Sequence, residues 1–171
     1  YQVQKLLKRA VDEGSQFAVL EVTSHALDQN RVFAINFDLA VLTNITNEHL
    51  DYHKTFDNYL IAKAKLFKKT KISILNADDG SFAKIKTLTN SKIVSYGLTK
   101  MSNINPFNFP FQSNLEGEFN KYNVLAAIAA CRQLKISDSD IRLALKSFPQ
   151  VKGRMEKVDL GKSFEVIVDF A

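Results

Sequence analysis

Residues 38–75 read DLAVLTNITNEHLDYHKTFDNYLIAKAKLFKKTKISIL, a stretch whose pattern predicts a strand, a helix and a second strand. Its two ends are short apolar runs, as buried strands are. Between them, Thr55 can cap a helix, and apolar residues recur at helical spacing from Tyr59 to Phe67. A helix between two such strands is typical of the parallel sheet of an α/β protein.

The same alternation continues on both sides of this stretch. Helical spacing predicts helices at residues 3–11, 120–134 and 138–146, and short apolar runs predict strands at residues 17–20, 93–96 and 164–168. Residues 99–114 hold two of the three prolines, which predicts a loop. We therefore expect an α/β fold, a mostly parallel sheet flanked by helices, with ligands bound at the carboxyl ends of its strands.

The composition is that of a globular protein, since 46% of the 171 residues are hydrophobic, enough for one core. The net charge of +5 suits anionic ligands such as phosphates, and no nucleic-acid-binding motif accompanies it. No apolar run is long enough to cross a bilayer, so we expect no membrane insertion. The single cysteine, Cys131, excludes an internal disulfide and fits a reducing compartment such as the cytoplasm.

Polar side chains follow two of the predicted strands. Glu21 comes directly after the run at residues 17–20, and Thr43 and Asn44 come after the run at residues 38–42. A carboxylate at such a strand end can bind Mg²⁺, which prefers oxygen ligands. From spacing alone, Glu21 is better explained as an ordinary carboxylate at a strand end that faces water.

Three other residues, His49, Lys63 and Arg31, could each bind a ligand or simply lie at the surface. His49 lies in a polar loop, where a histidine is usually exposed. Lys63 lies on the predicted helix, where a lysine normally faces solvent. Arg31 has the planar guanidinium that suits a carboxylate or a phosphate, but it can also simply be exposed. Spacing alone gives the binding roles little support.

Six motifs, in this order, resemble those of the central domain of the Mur ligases. Three lie in the first 67 residues: EVTSHALDQNR at 21–31, TNITNEHLD at 43–51 and YLIAKAKLF at 59–67. Three follow: GEFNKYN at 117–123, GRME at 153–156 and VDFA at 168–171. The first motif is most similar to the branch of the family that adds the third amino acid to the peptidoglycan precursor.

The resemblance implies a role for each residue at a matching position. The implied Mg²⁺ ligands are Glu21, His49 and Lys63, and the last two are also the implied catalytic residues. Lys63 would be carbamylated, which replaces its cation with oxygen ligands. The residues implied to contact the UDP-N-acetylmuramoyl-peptide are Thr23, Gln29 and Arg31. The residues implied to contact ATP are Asn44, Asn120, Asn123, Arg154 and Asp169.

The resemblance also implies a domain organisation. Residues 1–168 match a Mur ligase central domain that lacks its phosphate loop, and residues 169–171 match the start of the hinge to a C-terminal domain that the chain does not contain. The phosphate loop, Gly-x-x-Gly-Lys-Thr, does not occur in the sequence. Because the backbone amides of such a loop hold the ATP phosphates, we do not expect ligation by these 171 residues alone.

The activity that the resemblance implies, for the complete protein, is ATP-dependent ligation in peptidoglycan synthesis. The D-glutamyl carboxylate of UDP-N-acetylmuramoyl-L-alanyl-D-glutamate would attack the γ-phosphate of ATP, and the amine of lysine or diaminopimelate would displace phosphate from the acyl phosphate. The alternatives are another Mur ligase or a folylpolyglutamate synthase, or else a non-catalytic remnant or a ligand-binding domain. The motif at residues 21–31 argues against the other two enzymes.

Overall fold

The computed structural model describes residues 2–46, 50–159, 161 and 164–170. The helices are α1 (Gln2–Asp12), α2 (Ser24–Asp28), α3 (Leu50–His53), α4 (Phe56–Phe67), α5 (Phe82–Leu88), α6 (Glu118–Gln133) and α7 (Asp138–Ser147). The strands are β1 (Leu39–Leu42), β2 (Ile72–Asn76), β3 (Lys92–Tyr96), β4 (Glu156–Val158) and β5 (Val166–Val168). The α/β class expected from the sequence is confirmed.

β2 is the middle strand of a parallel three-stranded sheet with the order β1-β2-β3. Helices α3 and α4 connect β1 to β2, and α5 connects β2 to β3, as in the crossover connections that parallel strands require. The middle position explains why Ile74 and Leu75 are completely buried. A separate two-stranded sheet pairs β4 with β5 in antiparallel register, with Glu156 opposite Val168.

Contacts divide the described chain into two compact units. The first unit takes in the described residues of 1–73 and 79–93, which include α2, α3, α4 and α5. The second takes in those of 74–78 and 94–171, which include α6, α7, β4 and β5. Of the helices in the described ranges, none has the length and apolar character needed to span a membrane.

In the first unit, α4 is stabilised both by the cap at its N-terminus and by its buried apolar residues. The Thr55 hydroxyl accepts a hydrogen bond from the Asn58 backbone N–H at 3.2 Å and so caps the first turn, as predicted. Tyr59, Leu60 and Phe67 are each at most 3% exposed, and the small Ala62 and Ala64 let the helix pack closely.

In the second unit, α6 supplies the largest apolar face. Its buried residues are Val124, Leu125, Ala126, Ile128 and Ala129. The guanidinium of Arg132 on α6 and that of Arg142 on α7 both lie over the ring of the buried Phe109, at 4.7 Å and 4.3 Å from its centroid. Arg132 also bonds Asp138 at 2.8 Å, so the pKa of that carboxyl is held below its usual range. These contacts hold α6 and α7 together.

One predicted strand is wrong. Residues 17–20 form no strand, and Phe17 and Val19 are 59% and 97% exposed. An apolar run becomes a strand only when a neighbouring strand satisfies its backbone N–H and C=O groups, and the described residues offer this run no such partner. Glu21 therefore does not follow a strand.

Four short elements were not predicted: α2, α3, α5 and β4. Each has at most seven residues, too few for a periodic pattern to stand out. The predicted helices and the remaining predicted strands are confirmed to within a few residues, and residues 99–114 form a loop apart from one bridge between Tyr96 and Ile104.

We expect Ser137→Ala to lower the free energy of unfolding by about 1 kcal/mol. Its hydroxyl accepts the Asp140 N–H at 3.1 Å and caps α7. Ser147 is the matched control, because its hydroxyl lies at the other end of α7 and bonds only carbonyls of the same helix. Urea denaturation followed by circular dichroism should show Ser147→Ala within about 0.5 kcal/mol of wild type. Equal losses from both variants would contradict the cap assignment.

Candidate functional site

The residues predicted to contact the precursor surround the short helix α2. Thr23 is the N-cap, and its hydroxyl accepts the Ala26 N–H at 3.1 Å. Gln29 is the C-cap, and the Arg31 backbone N–H bonds the carbonyl of Ala26 at 2.8 Å. The side chains of Thr23, Gln29 and Arg31 are all exposed. Local backbone bonds thus shape this segment and leave its hydroxyl, amide and guanidinium open to a ligand.

Helix α2 docks on α3 and α4 through three polar contacts. The Ser24 hydroxyl lies 2.9 Å from His53 Nε2, and both side chains are buried. At the other end of α2, Asp28 accepts hydrogen bonds from the Tyr52 hydroxyl at 3.0 Å and from Lys65 Nζ at 2.8 Å. The Lys65 cation, with Tyr52, holds the pKa of the Asp28 carboxyl below its usual range.

Lys63 is connected to the same region through aromatic rings. Its Nζ lies over the ring of Tyr59, 5.3 Å from the centroid. The Tyr59 ring stacks on the His53 ring at a centroid distance of 5.3 Å, and His53 reaches Ser24. The half-buried Lys63 on α4 and the start of α2 thus belong to one connected cluster.

An open cavity of about 420 Å³ lies beside this cluster. Its lining residues are Asp28, Tyr52, His53, Lys54, Asn58, Ile61, Ala62 and Lys65. Charged groups of both signs line it, together with only two aliphatic side chains. It is a polar depression in the surface, suited to a hydrated ligand.

Two predicted residues, Glu21 and Asn44, are exposed in segments without regular structure. Asn44 lies in the loop after β1, as predicted. Its neighbour Ile45 donates its backbone N–H to Asp79 Oδ2 at 3.3 Å, and Asp79 Oδ1 accepts the Ser81 N–H at 2.9 Å. Asp79 therefore joins the loop after β1 to the loop after β2.

The role of Asp79 was missed in the sequence. The cluster at residues 76–80 predicts a turn, and the turn is there, but composition does not show that one of its carboxylates also supports a loop that is distant in sequence. The adjacent carboxylates at Asp78 and Asp79 were the available signal, since two acidic residues in a tight turn often accept backbone N–H groups.

The predicted metal ligands can be followed only in part. Glu21 and Lys63 are described, whereas His49 lies outside the described residues. Within the ranges that the structure covers, no three His, Cys, Asp or Glu side chains are grouped so as to hold a metal ion. The set of Glu21, His49 and Lys63 stays a prediction.

In the second unit, two predicted nucleotide residues lie on the first turns of α6. Asn120 Nδ2 donates to the Glu116 carbonyl at 2.6 Å, and Asn123 Nδ2 donates to Asn120 Oδ1 at 3.1 Å. The Glu116 carboxylate pairs with Lys157 of β4 at 3.0 Å. The start of α6 is thereby connected to the β4–β5 sheet.

The other two nucleotide residues flank that sheet. Arg154 Nη1 donates to the carbonyl of Phe170, and the Met155 N–H donates to Asp169 Oδ1 at 3.3 Å. Arg154 comes just before β4 and Asp169 just after β5, so the antiparallel register places both at the same end of the sheet. The structure thus gathers Asn120, Asn123, Arg154 and Asp169 in one compact unit.

Comparison with known proteins finds relatives that cover both groups of residues. The family model described as "Mur ligase middle domain" matches residues 1–131. Curated relatives named UDP-N-acetylmuramoyl-L-alanyl-D-glutamate--2,6-diaminopimelate ligase match almost the whole chain. The protein from Geobacillus thermodenitrificans is 39% identical over 99% of this chain and 40% of its own length. That from Thermosynechococcus vestitus is 38% identical over 99% of this chain and 39% of its own length. The chain thus spans about 40% of the length of these relatives.

Superposition on solved structures leads to the same family. A ligase of the same name superposes with a TM-score of 0.82 and 27% identity, over 92% of this chain and 38% of that one. A pseudomurein peptide ligase type C from Methanothermus fervidus superposes with a TM-score of 0.68 and 25% identity, over 88% of this chain and 41% of that one. On the matched residues 1–131 and on these relatives, the chain belongs to the Mur ligase family.

Proposed function

We propose that the complete gene product is an ATP-dependent ligase that adds diaminopimelate to UDP-N-acetylmuramoyl-L-alanyl-D-glutamate. The observation that carries this proposal is the name shared by relatives that are 34–39% identical over 99% of the chain. The six motifs of the family, all present in order, support it. A cytoplasmic location is part of the same proposal, because the enzyme would need both ATP and the UDP-linked precursor in its own compartment.

The precursor would bind around α2. A guanidinium and an amide suit the carboxylates and phosphates of this substrate, and Arg31 can form two parallel hydrogen bonds to either. Thr23, Gln29 and Arg31 are exposed at the two ends of one short helix. The positive net charge of the chain favours an anionic substrate of this kind.

Glu21, His49 and Lys63 are the residues we propose for Mg²⁺. The exposed Glu21 carboxylate is a ligand of the type that Mg²⁺ prefers. An ammonium cannot coordinate a metal, so Lys63 would have to be carbamylated and give up its position over the Tyr59 ring. When bound, Mg²⁺ would offset the negative charge of the phosphates during transfer.

The nucleotide would bind the second group of residues, and the contact of Asn44 with ATP stays a prediction from its family motif. Asn120 and Asn123 offer amides that can pair with the edge of a purine ring. Arg154 suits a phosphate, and the Asp169 carboxylate can accept hydrogen bonds from ribose hydroxyls. These assignments follow the family motifs and agree with the grouping of the four residues of the second unit.

The proposed reaction has two steps. A D-glutamyl carboxylate oxygen bonds to the γ-phosphorus of ATP, and ADP leaves. The amine nitrogen of diaminopimelate then attacks the acyl carbon, loses a proton and expels phosphate. In the first step Arg31 would hold the precursor so that its carboxylate approaches in line, since correct orientation lowers the barrier by removing translational and rotational freedom beforehand.

A ligation assay tests this function. The complete gene product, given ATP, Mg²⁺, UDP-N-acetylmuramoyl-L-alanyl-D-glutamate and diaminopimelate, should release ADP and phosphate and form the tripeptide precursor, as followed by mass spectrometry. Omission of the precursor should abolish ADP release, and omission of diaminopimelate should abolish continued turnover. Activity with lysine but not with diaminopimelate would show that lysine is the amino acid added. Activity only with a folate and glutamate would overturn the proposal.

Lys63→Arg tests the carbamylated ligand. An arginine keeps the cation and most of the length but cannot be carbamylated, so we expect turnover of the complete gene product to fall at least ~100-fold, as for His49→Ala. Lys68→Arg, at the exposed C-cap of the same helix, is the matched control and should keep turnover close to wild type. Full activity of Lys63→Arg would exclude a carbamylated lysine at this position.

A further inference from the structure

We propose that His53 is a positioning residue for precursor binding, because its buried hydrogen bond to Ser24 holds the start of α2 in place. The inference rests on the proposed function, in which the residues around α2 bind the UDP-linked dipeptide. It adds a residue outside the set assigned to ligands so far. His53 lies at the end of α3, four residues after His49.

The bond joins two buried side chains. Ser24 is 2% exposed and His53 is 7% exposed, with 2.9 Å between the serine hydroxyl and Nε2 of the ring. Ser24 is the first residue of α2 and directly follows the cap residue Thr23. In a buried position, the loss of one partner leaves the other unsatisfied, so such a bond restrains its two segments more strongly than an exposed one.

The His53 ring is itself fixed in orientation. It stacks on Tyr59 with an interplanar angle of 25° and meets the Tyr52 ring edge-on at a centroid distance of 4.8 Å. The His53 carbonyl accepts a hydrogen bond from Asn58 Nδ2 at 3.0 Å, which ties α3 to α4. These contacts limit ring rotation, so Nε2 stays directed at Ser24.

Helix α2 needs this restraint because it has only five residues. A helix of that length is not stable by itself. Its polar contacts from Asp28 to Tyr52 and Lys65 are exposed, and exposed ion pairs contribute little. The buried Leu27 and the His25 ring, whose centroid lies 4.2 Å from that of the Tyr52 ring, add apolar and aromatic packing. The buried bond from His53 to Ser24 is therefore the strongest polar restraint on the helix among the described contacts.

A shift of α2 would move the ligand-binding side chains with it. Thr23 caps the helix through Ala26, and the turn that carries Gln29 and Arg31 is bonded back to the carbonyls of His25 and Ala26. Loss of the His53 bond should therefore weaken precursor binding. It should leave ATP binding unchanged, because the residues proposed for ATP belong to other elements.

The test compares variants of the complete gene product. His53→Leu removes the hydrogen bond at similar bulk, whereas His53→Gln keeps an amide nitrogen close to the position of Nε2. We expect His53→Leu to raise the KM for UDP-N-acetylmuramoyl-L-alanyl-D-glutamate about tenfold without changing the KM for ATP, and His53→Gln to restore most of the loss. Ser24→Ala combined with His53→Leu should raise this KM no further than either change alone.

Ser73→Ala is the matched control for general destabilisation. Ser73 is completely buried on β2, and its hydroxyl bonds that of Ser91 at 2.6 Å. It should lower the melting temperature without changing either KM. If Ser73→Ala and His53→Leu change the two KM values alike, or if His53→Leu lowers kcat alone, the positioning role is overturned.

Amide hydrogen exchange separates a failure of this inference from a failure of the proposed function. In active enzyme, exchange at the amides of Ala26–Asp28 should quicken in His53→Leu and return towards wild type in His53→Gln. Unchanged exchange overturns the role of His53 while the ligase function stands. A wild-type protein without ligase activity overturns the proposed function itself, and the role of His53 in it.

Discussion

The docking of α2 on α3 and α4 is the contact on which the candidate site depends. Its polar contacts join Ser24 with His53, 29 residues apart in sequence, and Asp28 with Tyr52 and Lys65, 24 and 37 residues apart. They fix the segment that carries Arg31 relative to the helix that carries Lys63. The buried contact orients the start of α2, and the exposed ones add a weaker restraint at its end.

The candidate ligand residues fall into two groups, each organised within its own compact unit. In the first, Thr23, Gln29 and Arg31 flank the two ends of the short helix α2. In the second, the start of α6 presents two asparagines, and the antiparallel pairing of β4 with β5 places Arg154 and Asp169 at the same end of the sheet. In both groups, backbone hydrogen bonds define the segment and most of the functional side chains remain exposed, as a binding surface requires.

The sequence predicted what local patterns determine. Helix α4 with its Thr55 cap and strand β2 follow from periodicity and turn signals within a few residues. The apolar run at residues 17–20 was predicted as a strand because burial by a distant partner cannot be read from the run itself. Helix α2 was missed because five residues show no period. The support that Asp79 gives to the loop at Ile45 joins residues 34 positions apart, which no local pattern encodes.

The division of substrates between the two groups of residues is the central claim, and a pair of arginine variants tests it most directly. In steady-state ligation by the complete gene product, Arg31→Ala should raise the KM for UDP-N-acetylmuramoyl-L-alanyl-D-glutamate about tenfold and leave the KM for ATP unchanged, since a lost bidentate contact weakens only its own ligand. Arg154→Ala should do the reverse. If both variants change the KM of the same substrate, the division of substrates between the two groups is contradicted.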